Sequence, residues 1–152
     1  MTQTVQQDFD VSAELRALCQ LQPIAVSFKG KQREVHIFTR GTADAFLATL
    51  RGASENDSLK RRKSREINLL SIVLADLHGS SPYFKRMRRW LWRMRLSHTH
   101  YSDVEAVQLL TAAKERILTR QHMEALLTIL CAQVQVLLQK KNISTEQLIN
   151  YQ

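Results

Sequence analysis

His98 and His100 flank Thr99, with Asp103 three residues further on, so two imidazoles and a carboxylate fall within a short stretch. That spacing suits a loop or strand that reaches a metal, but zinc takes three or four ligands at recognisable intervals. Cys19 and Cys131 stand singly in apolar helical patterns and are expected in the core, not in a ligand set. No metal and no other cofactor are therefore expected. Near their usual pKa of ~6.5 the two imidazoles would gain charge below neutral pH and strengthen contacts with phosphate.

Ser97-His98 and Ser102-Asp103 supply residue types for nucleophilic catalysis. A nucleophile also needs a base in reach and donors for an oxyanion, and no elbow or glycine-rich turn surrounds either pair. The chain contains no GxxxxGK[ST], GxGxxG, HExxH or paired CxxC. Its carboxylates are few and dispersed, against what a nuclease-type metal cluster requires. A non-enzymatic protein is expected.

The remaining chemistry is electrostatic. Residues 1–58 hold six Lys/Arg against seven Asp/Glu, and residues 99–152 hold five of each. Residues 59–98 hold eleven Lys/Arg against only Glu66 and Asp76, so the whole excess of +8 comes from this basic helical region. Solubility is served by scattered charge of mixed sign. A concentrated block asks for an anionic partner.

Two runs carry the block. Lys60, Arg61, Arg62, Lys63 and Arg65 open a helix, against a dipole that favours acidic groups there by ~0.3–1 kcal/mol each. Like charges at i,i+3 and i,i+4 add repulsion. On a solvated helix end Glu66 and Asp57 would offset part of this, and a short basic run is also compatible with a localisation signal. In the second run, Tyr83, Phe84, Met87, Trp90, Leu91 and Met94 share one helical face, expected to pack on the core. Lys85, Arg86, Arg88, Arg89, Arg93 and Arg95 take the opposite face, with Trp92 among them. An indole exposed between guanidiniums could stack on a nucleobase while they hold phosphates. Burial by a neighbouring helix or subunit, or a place at a membrane surface, are the competing roles.

These residues must be positioned by elements that the glycines and prolines help to delimit. Ser12 is expected to cap a helix to about Leu21, stopped by Pro23. Ile24, Val26 and Phe28 alternate with Ala25 and Ser27 as a strand does, Lys29-Gly30-Lys31 makes a turn, and Arg33 to Thr39 returns as a second strand. Thr42 would cap a helix from Ala43 to Arg51 that Gly52 ends. Leu59, Leu70, Val73, Leu74 and Leu77 mark one face of a helix up to His78-Gly79-Ser80-Ser81, and Ser81-Pro82 starts the next, to about Leu96. Among the C-terminal helices of 103–152, Ser102 with Glu105 forms a capping box for a helix to about Leu118. Thr119 caps another to Lys141-Asn142, and Ser144 with Gln147 starts a last short one.

The fold expected is mainly α: a helical bundle of about five or six helices with a small N-terminal β-hairpin, in one domain over 1–152. Ala125 to Gln139 is uncharged, but at 15 residues with three glutamines it is too short and polar for a bilayer, which needs ~20 apolar residues. No membrane partner is expected, and two lone cysteines and a polar N-terminus fit a cytoplasmic protein. The helix around Met123, Leu126, Leu130 and Val134 is apolar on two sides, and is expected to lie centrally in its bundle or to meet a protein partner or second copy.

The function these features point to is nucleic-acid binding, RNA or single strands before duplex DNA, within a larger complex. Lys60, Arg61, Arg62, Lys63, Arg65, Lys85, Arg86, Arg88, Arg89, Arg93 and Arg95 would hold phosphates and Trp92 would stack. Such contacts position a backbone without reading its sequence. The alternative is an adaptor or assembly protein whose basic face docks an acidic protein partner.

Overall fold

A computed structural model describes residues 10–77 and 81–149, without the side chains of Pro82 and residues 142–149. Five helices and one two-stranded antiparallel hairpin make up a mainly α fold, as expected. In order they are α1 (Val11–Cys19), β1 (Ile24–Phe28), β2 (Lys31–Val35), α2 (Arg40–Arg51), α3 (Leu59–Leu77), α4 (Pro82–His98) and α5 (Asp103–Ile149). Two compact units are present: one holds α1 and α5 from Gln121 onward, and the other spans Gln22–Arg120.

The hairpin turns on Lys29 and Gly30, both at positive φ (52° and 71°), the pair of left-handed residues that a tight two-residue turn needs. Lys29 is held in that conformation from outside. Its N–H donates to Glu105 Oε2 at 3.1 Å, its Nζ to Thr99 Oγ1 at 2.7 Å, and Ser27 Oγ donates to Glu105 Oε1 at 3.4 Å. Glu105 thus anchors the hairpin in place of the capping box expected for it. The second strand stops at Val35, short of the expected Thr39, because Val35 pairs with Ile24 and the preceding Pro23 has no N–H to extend the ladder. Val26, Phe28 and Val35 point into the core, and the Phe28 ring meets Tyr101 at 5.9 Å between centroids.

Helix ends differ from expectation where a second oxygen was available. Asp10, not Ser12, caps α1, accepting from the N–H groups of Ser12 (3.0 Å) and Ala13 (3.2 Å). Thr39 occupies the N-cap position of α2, and Thr42 lies inside the helix, buried. The expected break at His78-Gly79-Ser80 lies outside the described residues.

The core of the Gln22–Arg120 unit is built around α3. From Leu69 to Ala75 every α3 side chain is buried, with Leu70, Val73 and Leu74 fully enclosed. Leu59, expected on the same face, lies a helical run away among the cations and is exposed. Phe38, Ala43 and Phe46 join from β2's extension and α2, Trp92 and Leu96 from α4, and Ala106, Leu109, Ala113 and Ile117 from α5 at helical spacing. Arg120 Nη1 donates to the Phe38 carbonyl at 2.9 Å and Arg116 Nη2 to that of Gln22, which ties the strand ends to α5.

Three expectations are overturned here. The C-terminal segments are one continuous helix of 47 residues: Thr119 and Ser144, read as caps, leave the helix unbroken, and Thr119 Oγ1 donates to the Glu115 carbonyl at 3.0 Å, the back-bond of a mid-helix threonine. The two-sided apolar part of α5 is not centrally buried: Leu126 is enclosed, while Leu127, Ile129, Val134, Val136, Leu137 and Leu138 are exposed. Cys19 and Cys131 are exposed free thiols, not core residues. Between Asp103 and Lys141, α5 is long and apolar enough to cross a membrane by length and composition alone. In the unit that holds α1, His122 Nε2 meets Glu14 Oε1 at 2.8 Å.

Candidate nucleic-acid interface

Helix α4 is rotated by about half a turn from the expected phase. Trp92 is 9% exposed and belongs to the core, whereas Trp90 is 58% exposed. Tyr83, Phe84, Met87, Leu91 and Met94, expected inside with Trp90, are exposed as well. A closed polar circuit fixes this orientation. Lys85 Nζ pairs with Asp76 of α3 and donates to Thr39 Oγ1 at 3.1 Å. Thr39 and Thr42 share a hydrogen bond at 3.1 Å, and Thr42 Oγ1 donates to Asp76 Oδ1 at 3.0 Å. Asp76 stands at the apolar end of α3, where an unpaired carboxylate would be costly, so a cation must turn inward. Lys85 does, and Trp92, seven residues on, follows it to the same side.

Trp92 is packed between cations. The guanidinium of Arg33, from β2, lies 5.4 Å from its ring centroid and that of Arg95 lies 5.5 Å away. Burial, and then the nearby Arg95, lower the pKa of Arg33 from its ordinary value. Trp92 is therefore a core residue, buried with two arginines against its ring, and not the exposed indole expected.

The cations of α3 fare differently. Lys60, Arg61, Lys63 and Arg65 line an open groove of about 960 Å³, with Arg93 from α4 and Ala48, Thr49 and Gly52 from the end of α2. Ser64, Ile67, Asn68 and Ser97 complete it, and no carboxylate is among these lining residues. Helical spacing explains the set: Lys60, Ser64 and Ile67, and Arg61, Arg65 and Asn68, form two adjacent rows on α3. Arg93 Nη2 donates to Asn68 Oδ1 at 2.5 Å and joins the α4 wall to the floor.

Arg65 and Lys63 are braced as well, so three of the five groove cations are held. Arg65 Nη2 donates to the Gly52 carbonyl at 2.8 Å and pairs with Asp57, which fastens the α2–α3 loop to the groove wall. The Ser54 N–H, and then Arg65, hold the Asp57 carboxyl below the usual carboxylate range. Lys63 Nζ donates to Glu66 Oε1 at 3.0 Å and to Asp103 Oδ1 at 3.4 Å, and lies 4.4 Å from the Tyr101 ring centroid. The Tyr101 phenol and then Glu66 raise the pKa of Lys63, so it is fully charged at neutral pH. Tyr101 donates its proton to Glu66 at 2.7 Å, and burial, followed by that bond, raises its own pKa.

The other candidates lie apart from the groove lining. Arg62 donates to the Glu55 carbonyl at 2.9 Å, Lys85 is committed to Asp76, and Arg89 is half-buried. Arg88 and Arg95 border a small hollow over Trp92, while Arg86 is exposed on α4 and forms no hydrogen bond or ion pair among the described residues. Thr49, Ser64, Asn68 and Ser97 are the groove residues that the charge pattern overlooked; the i,i+4 rows through Lys60 and Arg61 point to Ser64 and Asn68. His98 and His100 border an adjoining hollow of about 280 Å³ with Tyr101, which shares Lys63, Ile67 and Ser97 with the groove. Among the described residues no group of three or more His, Cys, Asp or Glu is placed to hold a metal.

No family model matches this chain, and neither the curated proteins nor the solved structures contain a significant match to it.

Proposed function

We propose that this protein binds nucleic acid without catalysis, holding a phosphate backbone in the groove between α2, α3 and α4 as a cytoplasmic subunit of a larger complex. The observation that carries this is the convergence of Lys60, Arg61, Lys63, Arg65 and Arg93 on one open groove with no carboxylate among its lining residues. Asp57, Glu66 and Asp103 offset part of the charge at Arg65 and Lys63, but Lys60 has no such partner among the described residues, so phosphates are the natural counter-charge for the remainder. Ser64 adds a hydroxyl donor of the kind that meets phosphate oxygens beside lysine and arginine, while Thr49 and Ser97 already donate to the Ala45 and Arg93 carbonyls. Contacts of this kind fix a backbone in place and leave sequence unread. With Trp92 buried, a preference for single strands or RNA loses the stacking residue it rested on, and the groove makes backbone contacts open to either form.

Fluorescence anisotropy with labelled single-stranded, duplex and RNA oligonucleotides, from low to physiological salt, tests this function. The expected result is binding that weakens steeply with salt, with a log–log slope of about −0.7 to −0.9 per phosphate neutralised. Binding that ignores salt, or that survives Lys60→Ala with Arg61→Ala unchanged, would overturn it.

A further inference from the structure

We propose that the exposed face of α4 is a docking seam for an acidic amphipathic helix of a partner protein, separate from the phosphate groove. Tyr83, Met87, Trp90 and Met94 repeat at spacings of four, three and four, the a/d pattern of a helix seam, and all are exposed, Tyr83 at 90%. Phe84 and Leu91 widen the row on one side. The row runs for about 17 Å along α4, at ~1.5 Å per residue. An apolar strip of this size, contiguous and turned away from the core, marks an interaction site more often than a scattered set of exposed side chains does.

Charge decides the occupant. On a helical wheel Arg86 borders the row on one side, at a position from which a coiled-coil partner is selected by charge, while Arg93, one heptad on, is turned to Asn68 and the groove. Arg88 and Arg95 stand on the other side, also one heptad apart. α4 contains no acidic residue at all. A second copy of α4 would set arginine against arginine, so the complement is a helix with carboxylates flanking its own apolar row. An anionic bilayer offers the same sign of charge but makes no use of a seven-residue repeat. The two methionines suit a surface that adapts to a partner's side chains.

The probe is a labelled synthetic peptide of about three heptads, with leucine at its seam and glutamate on both borders. A second peptide carries lysine at the same border positions, and anisotropy is read against the full chain. The expected result is binding of the glutamate peptide with the lysine peptide at least tenfold weaker, roughly the cost of setting several like charges in register. Met87→Glu, at an exposed position, should weaken the glutamate peptide about tenfold or more by burying a charge in the seam, with the helical circular-dichroism spectrum unchanged. Arg86→Glu should shift preference toward the lysine peptide, which loss of fold would not produce. Lys60→Ala with Arg61→Ala should leave peptide binding unchanged, which separates this seam from the groove. Equal binding of both peptides would overturn the proposal. So would phosphatidylglycerol vesicles binding through this face while the glutamate peptide does not, or a dimer of the chain that Met87→Glu dissolves.

Discussion

Helices α3 and α4 are built from the same residue types but separate them along different directions. In α3 the separation runs along the axis. Lys60 to Arg65 form a charged first half, and Leu69 to Ala75 form a second half buried on every side. In α4 the separation runs around the circumference, since cations and large apolar residues alternate through every turn from Tyr83 to Leu96. Axial separation leaves one way to fold, with the apolar half inside. Circumferential separation leaves two, because each face carries a tryptophan and at least one further apolar residue. In α4 the face with more apolar area is the exposed one. The choice falls to a polar contact, Lys85 with Asp76, which the larger apolar face could not supply.

The largest effect expected from this difference lies within α4. Trp92→Ala should destabilise the protein by about 3–5 kcal/mol, the usual range for deleting a buried large aromatic. Trp90→Ala, two residues away, should stay within about 0.5 kcal/mol, as exposed substitutions do. Urea denaturation of both variants measures this directly, and equal or reversed costs would mean that the other face of α4 is the packed one.

The next effect concerns the contact that sets the phase. Lys85 and Asp76 are 14% and 12% exposed, so removing one partner strands a charge that water barely reaches. Lys85→Ala should cost about 2–3 kcal/mol, somewhat under the 3–5 kcal/mol of a fully buried pair because Thr42 still donates to Asp76. Lys85→Met with Asp76→Leu should recover much of that loss, since apolar replacement of both partners removes the stranded charge. A double-mutant cycle showing no coupling between positions 76 and 85 would remove the polar circuit as the cause of α4's orientation.

The same difference explains how much could be read from the chain. The hairpin, α3 and the limits of α4 were legible because turn residues, axial segregation and a Ser-Pro start are local signals. The convergence of Lys60, Arg61, Lys63 and Arg65 was legible too, since four of the five groove cations lie within two turns of one helix. Trp92 was not. Six apolar residues outnumber Trp92 and Leu96, and counting area gives the wrong face. A usable sign was nonetheless present: Asp76 is one of two acids among eleven cations and sits in the apolar half of α3, which obliges a cation to point inward. The continuity of α5 was hidden for a different reason. Thr119 and Ser144 have residue types that cap helices, but inside a helix a hydroxyl can bond the carbonyl one turn back, as Thr119 does.

A smaller effect should appear in binding. Lys60 forms no hydrogen bond or ion pair among the described residues, whereas Arg65 is tied to Gly52 and Asp57. Lys60→Ala should flatten the salt dependence by about 0.7–0.9 for each phosphate it no longer neutralises. Arg65→Ala should flatten it less and lower stability more, because part of its guanidinium already holds the loop. If the two variants give the same slope and the same stability, the bracing of Arg65 has no functional weight.

The smallest effect is one of pH, and it tests whether the charged half of α3 is held or loose. Asp57 has its pKa lowered in the folded protein, by the Ser54 N–H first and Arg65 next. A carboxyl with a depressed folded pKa contributes stability above its unfolded pKa, near 3.9, and loses it as pH falls through the lower folded value. Thermal unfolding of the native chain should therefore show a component that is constant above about pH 5 and declines below about pH 4. In Asp57→Asn that component should vanish. Arg65→Ala should reduce it only in part, because the Ser54 N–H remains as a donor at 3.1 Å. Identical acid profiles for the native chain and Asp57→Asn would show that the α2–α3 loop is not pinned. The groove wall formed by Gly52 and Arg65 would then be mobile, and its cations would have to be organised by the phosphate they bind.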